Sequence, residues 1–489
     1  MKSLFTLFLG GCLAIVLSAP VSAQTLISSE YEGTLTTSNI TVRLALAAFG
    51  LTAENDIDYY KVTYTMDNLD GRQDTVSGLY VAPSVATTSA LFPTLVYQHG
   101  TTNNKFEVPS NAQPGRDLPY LYATQGYAVL APDFLNMGED QEGFHPYVHA
   151  RTEAFAALRM MEAMTAEPAY TDIINEQLFL TGYSQGGHAS MALHEILIEE
   201  FPAIEVTAAA HMSGPYSLSD IMLNEVALSS EAFGAPGFMP YTLASYQTVY
   251  GNIFNDLSEV FRSEFVSPVQ AFIDGYETGV VGLSVLNQQL IDGLAAAGND
   301  SMTVELFPPA YVAGLRADPN HPLRVALADN DTYDFVNPTP TRLYYCDGDD
   351  QVNPMNSPFA ENAMNALGAT DTEAVELGPN LDHGECVIPA VSSSVMFFEG
   401  FQQIITSTNQ IPDASDWTYL QDADGLRIYT NDDQQDYQVS LFDATGRQVI
   451  AVNFRSGQWI DLSGISTSWA AVQVIDEEGR TTSKSIIVR

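Results

Sequence analysis

Four strand-like stretches alternating with helical ones constrain this chain most. "LFPTLVYQHG", "GYAVLAPDF", "LFLTGYSQGG" and "VTAAAHMSGP" read as short buried strands. Between them, "YVHARTEAFAALRMMEAMTA" and the residues after Gly186 read as helices built from good formers. Strands buried on both faces and alternating with helices imply a mostly parallel sheet with helices on both sides, an α/β class fold. Ahead of them, "DIDYYKVTYTMDNL" and "DTVSGLYVAP" alternate like an antiparallel pair around the turn from Asp67 to Gln73. The alternation stops at about 216, and strand character returns only at "TRLYYCDGDD". An insert whose two ends return to the sheet, about 216–340, reads as a helical cap. "TEAVELG" then supplies a last strand and "AVSSSVMFFEGFQQII" a closing helix.

The unit predicted in this way covers 24–410. Beyond it, 413–489 alternates strongly and reads as a small all-β module with turns at Thr445-Gly446 and Glu478-Gly479. The chain carries 18 Lys+Arg against 60 Asp+Glu, a formal charge of -42. Such a surface repels phosphate backbones and anionic headgroups, which excludes nucleic acid as a partner. The opening residues 1–23 have one lysine, an apolar run and the ending Val21-Ser22-Ala23, the pattern of a secretory signal peptide cut after Ala23. Cys12 sits in that run, which continues past it through Leu17 and so argues against a lipoprotein box. No later stretch is long and apolar enough to span a bilayer. The expectation is an exported, soluble protein without a membrane span. Cys346 and Cys386 remain after signal removal, and an even pair in an exported chain reads as one disulfide.

Ser184 stands at the apex of a strand-turn-helix with Gly182 and Gly186 two places to either side. By chance, G-x-S-x-G turns up in roughly one chain in six of this length, so the pentapeptide needs support from elsewhere. A serine hydroxyl attacks only when a base takes its proton and donors hold the oxyanion. The glycines permit the tight elbow, and the backbone N–H of Gln185 is one expected oxyanion donor. Thr101, in "YQHGTTNN" after an earlier strand, is the expected second. In this topology the triad runs serine, acid, histidine. The acid loop "DGDDQVNP" offers Asp347, Asp349 and Asp350, and only His383 follows it. Asp350 is preferred because it begins an Asp-x-Val-x-Pro turn, with Asp349 the alternative. Cys346 and Cys386 flank the two loops, so their bond would tie acid to base.

Other candidates read less well. His145 and His149 are spaced i, i+4 but lack a third metal ligand, so they read as a surface pair at a helix start. Asp329, Asp331 and Asp334 match no calcium-loop spacing. No metal site is expected. His188 reads as packing or a cap. Phe233, Phe238 and Tyr241 suit either an acyl pocket or the cap's own core.

With these residues in view, the chain resembles the α/β-hydrolase superfamily. "PTLVYQHGT", "GYSQGG", "SGPYSLSD" and "RLYYCDGDDQVNP" are similar to the secretory lipase/esterase branch with an inserted helical cap. The resemblance spans roughly 55–405 and implies cofactor-free hydrolysis of carboxylic esters, with Ser184, Asp350 and His383 at the triad positions. The tail is similar to the C-terminal sorting domain of type IX secretion substrates in "VSLFDATGRQVI", "IDLSGIS" and the basic end "SKSIIVR". That likeness implies the type IX machinery as a partner and export across the outer membrane of a Gram-negative bacterium, to the medium or the cell surface. The expected function is therefore a secreted esterase or lipase acting on a small-molecule, lipid or polymer ester through an acyl-enzyme. A serine aminopeptidase of the same fold, or a non-catalytic surface binding protein on this scaffold, is the alternative.

Overall fold

The computed structural model describes residues 25–44, 46–85, 90–111, 115–140, 143–276, 278–299 and 302–405, and in the tail 418–421, 425–429, 437–443, 447–462, 470–475 and 481–486. The signal segment with Cys12, and the two tail turns at Thr445-Gly446 and Glu478-Gly479, lie outside the described residues. The chain divides into two compact units between Thr406 and Ser407.

In the larger unit nine strands form one sheet: β1 (Leu26–Leu35), β2 (Ile57–Asp67), β3 (Gln73–Pro83), β4 (Phe92–Gln98), β5 (Ala128–Pro132), β6 (Ile174–Tyr183), β7 (Ala208–Met212), β8 (Thr341–Tyr345) and β9 (Thr372–Glu376). Their order is β1-β2-β3-β5-β4-β6-β7-β8-β9. From β5 through β9 every pairing is parallel, and the β1-β2-β3-β5 edge is antiparallel. Every residue of β4, β5 and β7 is buried, the reason these runs show no polar alternation. The predicted pair around Asp67 and Gln73 is β2 and β3, in register at Asp67↔Gln73. Strand β1, polar and half-exposed, carries no apolar rhythm. It joins β2 through backbone pairing at the sheet edge, with two register shifts.

Between β7 and β8 the chain forms a helical cap with its own apolar core. Phe144, Tyr241, Phe272 and Tyr276 meet there edge to face or tilted. The cap begins with Leu218–Ala227, wound as a π-helix, in which Met222 N donates to Ser217 O and Leu228 N to Leu223 O, each five residues back. π-turns cluster at functional sites, and this one walls the site described below.

The tail unit holds a three-stranded and a four-stranded antiparallel sheet around Leu426, Ile428, Val439, Leu441, Phe454 and Val472. Among the described residues no helix is long and apolar enough to cross a membrane.

Candidate active site

Ser184 links β6 to the helix Gln185–Glu199 with φ 61° and ψ -123°, a conformation that costs a non-glycine residue strain. Surrounding bonds impose it: Ser184 N donates to Met212 O at 2.9 Å, and its carbonyl accepts from Gly187 N at 2.8 Å. The glycines are required by crowding. A Cβ on Gly186 would lie 2.0 Å from Gln98 O, and one on Gly182 would lie 2.1 Å from Gly186 O. The elbow therefore sits against the end of β4, which brings Gly100 and Thr101 alongside Ser184. Gln185 opens the helix, where first-turn amides have no acceptor within the helix.

The loops after β8 and β9 bring acid and base together. His383 Nδ1 lies 2.7 Å from Asp349 Oδ2, with both side chains buried. The other oxygen, Asp349 Oδ1, accepts the backbone N–H groups of Gln351 at 3.0 Å and Val352 at 2.8 Å. This corrects the preference for Asp350. The Asp350 carboxylate instead accepts the backbone N–H of His383 at 3.2 Å, so it holds that residue's backbone and not its ring. Tyr183 holds the following peptide by donating its hydroxyl to His383 O at 2.6 Å. Cys346 and Cys386 are bonded, and both are buried at the roots of these loops. Closing a loop of 40 residues stabilises by roughly 4 kcal/mol in the chain-entropy picture.

Two spaces meet at Ser184. One is an open cleft of about 440 Å³ whose mixed walls place Thr101, Asn103, Ser284, Asn287 and His383 beside Ala235, Phe238, Leu283 and Val387. The other is a narrow chamber of about 60 Å³ under the cap, walled by apolar side chains such as Leu218, Leu223, Leu243 and Phe307. Phe238 borders both spaces. Tyr241 instead belongs to the cap core, stacked on Tyr147 at 4.2 Å, and Phe233 packs against the same core. The chamber walls from the π-helix went unread because their contacts come from across the cap.

Two other histidines depart from expectation. His145 and His149 are both buried and do not form a surface pair. Burial pushes His145 down to about 3 and His149 down to about 4. His188 is fully buried and joined to the Glu153 carboxylate at 3.2 Å. Asp331 accepts from Ser219 N, and Asp329 accepts from the Tyr250 hydroxyl. Among the described residues no group of three His, Cys, Asp or Glu is placed to hold a metal ion.

A parallel sheet with an antiparallel edge, a serine elbow after β6, and an aspartate–histidine pair on the loops after β8 and β9 match the α/β-hydrolase fold with a small C-terminal β domain. Several solved structures share it. A protein from Legionella pneumophila is 24% identical with TM-score 0.66, covering 77% of this chain and 98% of its own. A point mutant of the rice cell wall degrading esterase LipA from Xanthomonas oryzae is likewise 24% identical with TM-score 0.66, over 77% and 97%. Candida antarctica lipase A in its closed state is 14% identical with TM-score 0.54, over 78% and 84%. These are likenesses of fold. No family model matches the chain, and neither does any curated protein.

Proposed function

We propose that this protein is an exported serine hydrolase of carboxylic esters. The observation that carries the reading is the Asp349–His383 pair, whose histidine lines one cleft with a strained Ser184. Ser184 attacks the ester carbonyl while His383 takes its proton. Asp349 holds the ring so that the nitrogen away from it faces the reaction and balances the imidazolium that forms. The Gln185 and Thr101 amides hold the oxyanion. His383 then protonates the departing alkoxide, an acyl-enzyme remains on Ser184, and water releases it by the same steps. Because the proton comes from His383, the alcohol portion belongs in the cleft that His383 lines, and the acyl portion in the apolar chamber. The chamber's width suits a slender short-to-medium acyl chain. The cleft's width and the polar groups Thr101, Asn103, Ser284 and Asn287 among its mixed walls accept a bulkier, hydroxyl-bearing alcohol, and the fold likeness to a cell wall degrading esterase supports that choice.

Esters and amides pass through the same tetrahedral intermediate, so they must be compared directly. Activity on p-nitrophenyl butyrate should exceed that on an aminoacyl p-nitroanilide by at least about a hundredfold in kcat/KM, or ~2.7 kcal/mol in barrier. Faster cleavage of the anilide would make the protein a peptidase.

The tail's likeness to a sorting domain supports type IX export. Deleting residues after about 412 should leave active enzyme that the native cell no longer releases. Loss of folding on truncation would instead make the tail part of the catalytic unit.

A further inference from the structure

Beneath the elbow lies a polar network that this mechanism does not use. Glu153, in the first turn of the helix Ala150–Met164, is completely buried. Its Oε1 accepts from Val148 N at 3.0 Å and from Gln185 Nε2 at 2.7 Å, and its Oε2 meets His188 Nδ1 at 3.2 Å. Counting protons assigns each group. His145 Nδ1 faces the carbonyl of Leu135 at 3.0 Å and must donate to it, so His145 Nε2 is a lone pair. That lone pair accepts one amide hydrogen of Gln185 at 2.9 Å, and Glu153 takes the other. Reversing the amide would set its oxygen against two acceptors, so the Gln185 side chain has one orientation. His188 is different. Its Nε2 faces the carbonyl of Asn330 at 2.9 Å and its Nδ1 faces the carboxylate, so acceptors stand at both ring nitrogens. Val148 N–H and the Gln185 amide both donate to one oxygen of the Glu153 carboxyl, and the His188 ring faces its other oxygen.

We propose that Glu153 and His188 are a buried carboxylate–imidazolium pair that positions Gln185 and Val148, holding the oxyanion amide and the adjoining chamber wall without net charge beneath Ser184. Both positioned residues border the chamber. Val148 needs holding, since a β-branched residue at φ 49° is strained. The positive partner matters because the oxyanion of the reaction develops on the Gln185 amide, and an unbalanced carboxylate behind that residue would oppose it. His188 also follows Ser184 by one helical turn, its N–H 3.2 Å from Ser184 O. The other titratable groups facing the pair are His145, His149 and Asp331, with the buried phenols of Tyr147, Tyr241 and Tyr246.

The kinetic half of this proposal rests on the ester-hydrolase reading, and the spectroscopic half does not. In the full chain labelled with ¹⁵N-histidine, NMR should show both His188 ring nitrogens protonated in the folded protein, and Glu153→Gln should turn the ring into a neutral tautomer. A neutral His188 in the unaltered protein overturns the pair. With p-nitrophenyl butyrate, His188→Gln should lower kcat about a hundredfold with little change in KM, by leaving Glu153 unbalanced. The double variant Glu153→Gln/His188→Gln should recover to within about tenfold of the unaltered enzyme, whereas additive losses would reduce the pair to packing. If His188→Gln does not fold, the NMR of Glu153→Gln decides alone. Absence of ester hydrolysis in the unaltered protein would sink the proposed function and leave the NMR result standing.

Discussion

Asp349→Asn should lower kcat by about four orders of magnitude, because an amide in place of the carboxylate stabilises the wrong imidazole tautomer and cannot balance the imidazolium. Its neighbour should behave differently. Asp350 meets only the backbone N–H of His383, and an asparagine oxygen can accept that bond, so Asp350→Asn should cost at most about tenfold. Ser184→Ala and His383→Ala should each remove about six orders of magnitude with the fold retained, since nucleophile and base act as a unit. Steady-state kinetics beside circular dichroism separates lost chemistry from lost structure. A crippled Asp350→Asn with a mild Asp349→Asn would show that the acid loop rearranges in the working enzyme.

The second large effect is on stability in acid. Burial lowers His145 and His194 to about 3 and His149 to about 4, and drives His211 well below the ordinary histidine range. His194 and His211 lie against each other, Nδ1 to Nε2 at 3.2 Å, in a space that also excludes water from Ser190. As pH falls below ~6.5 the unfolded chain binds protons that these folded histidines refuse, so stability present above ~6.5 is lost toward their folded values. Each contributes up to ~1.4 kcal/mol per pH unit. Glu195 opposes them: burial, then Asp334 and Glu199, raise it to about 7, so the folded state gains there as pH falls from 7. The lowered histidines, which include His321, outnumber the raised carboxylates Glu195, Asp133 and Asp331, so stability falls as pH drops from 6 to 5. Chemical denaturation at stepped pH should show that slope, and His194→Gln should reduce it by about one proton. Equal stability at pH 7.5 and pH 5 would mean that the histidines titrate freely.

How much was legible follows from what each feature depends on. The parallel sheet could be read because β4, β5 and β7 lie between two helical layers, and full burial on both faces demands apolar runs. Strand β1 could not, since an edge strand is held by backbone groups that every residue carries. Ser184 was legible through its glycines, whose missing side chains record the approach of Gln98 O. His383 followed from chain order. Asp349 and Asp350 are adjacent in one acidic loop with the same chemistry, and only the direction in which the loop turns presents Asp349 to the imidazole and Asp350 to the peptide. Local rhythm and residue type alone determined the layered fold, the cap insertion and the elbow, because burial and tight turns leave their mark at single positions. Which carboxylate meets the His383 ring, the division of apolar residues between chamber and cap core, and the meeting of Glu153 with His188 were decided only by the tertiary structure. Each depends on which groups distant in sequence face one another across a few ångströms.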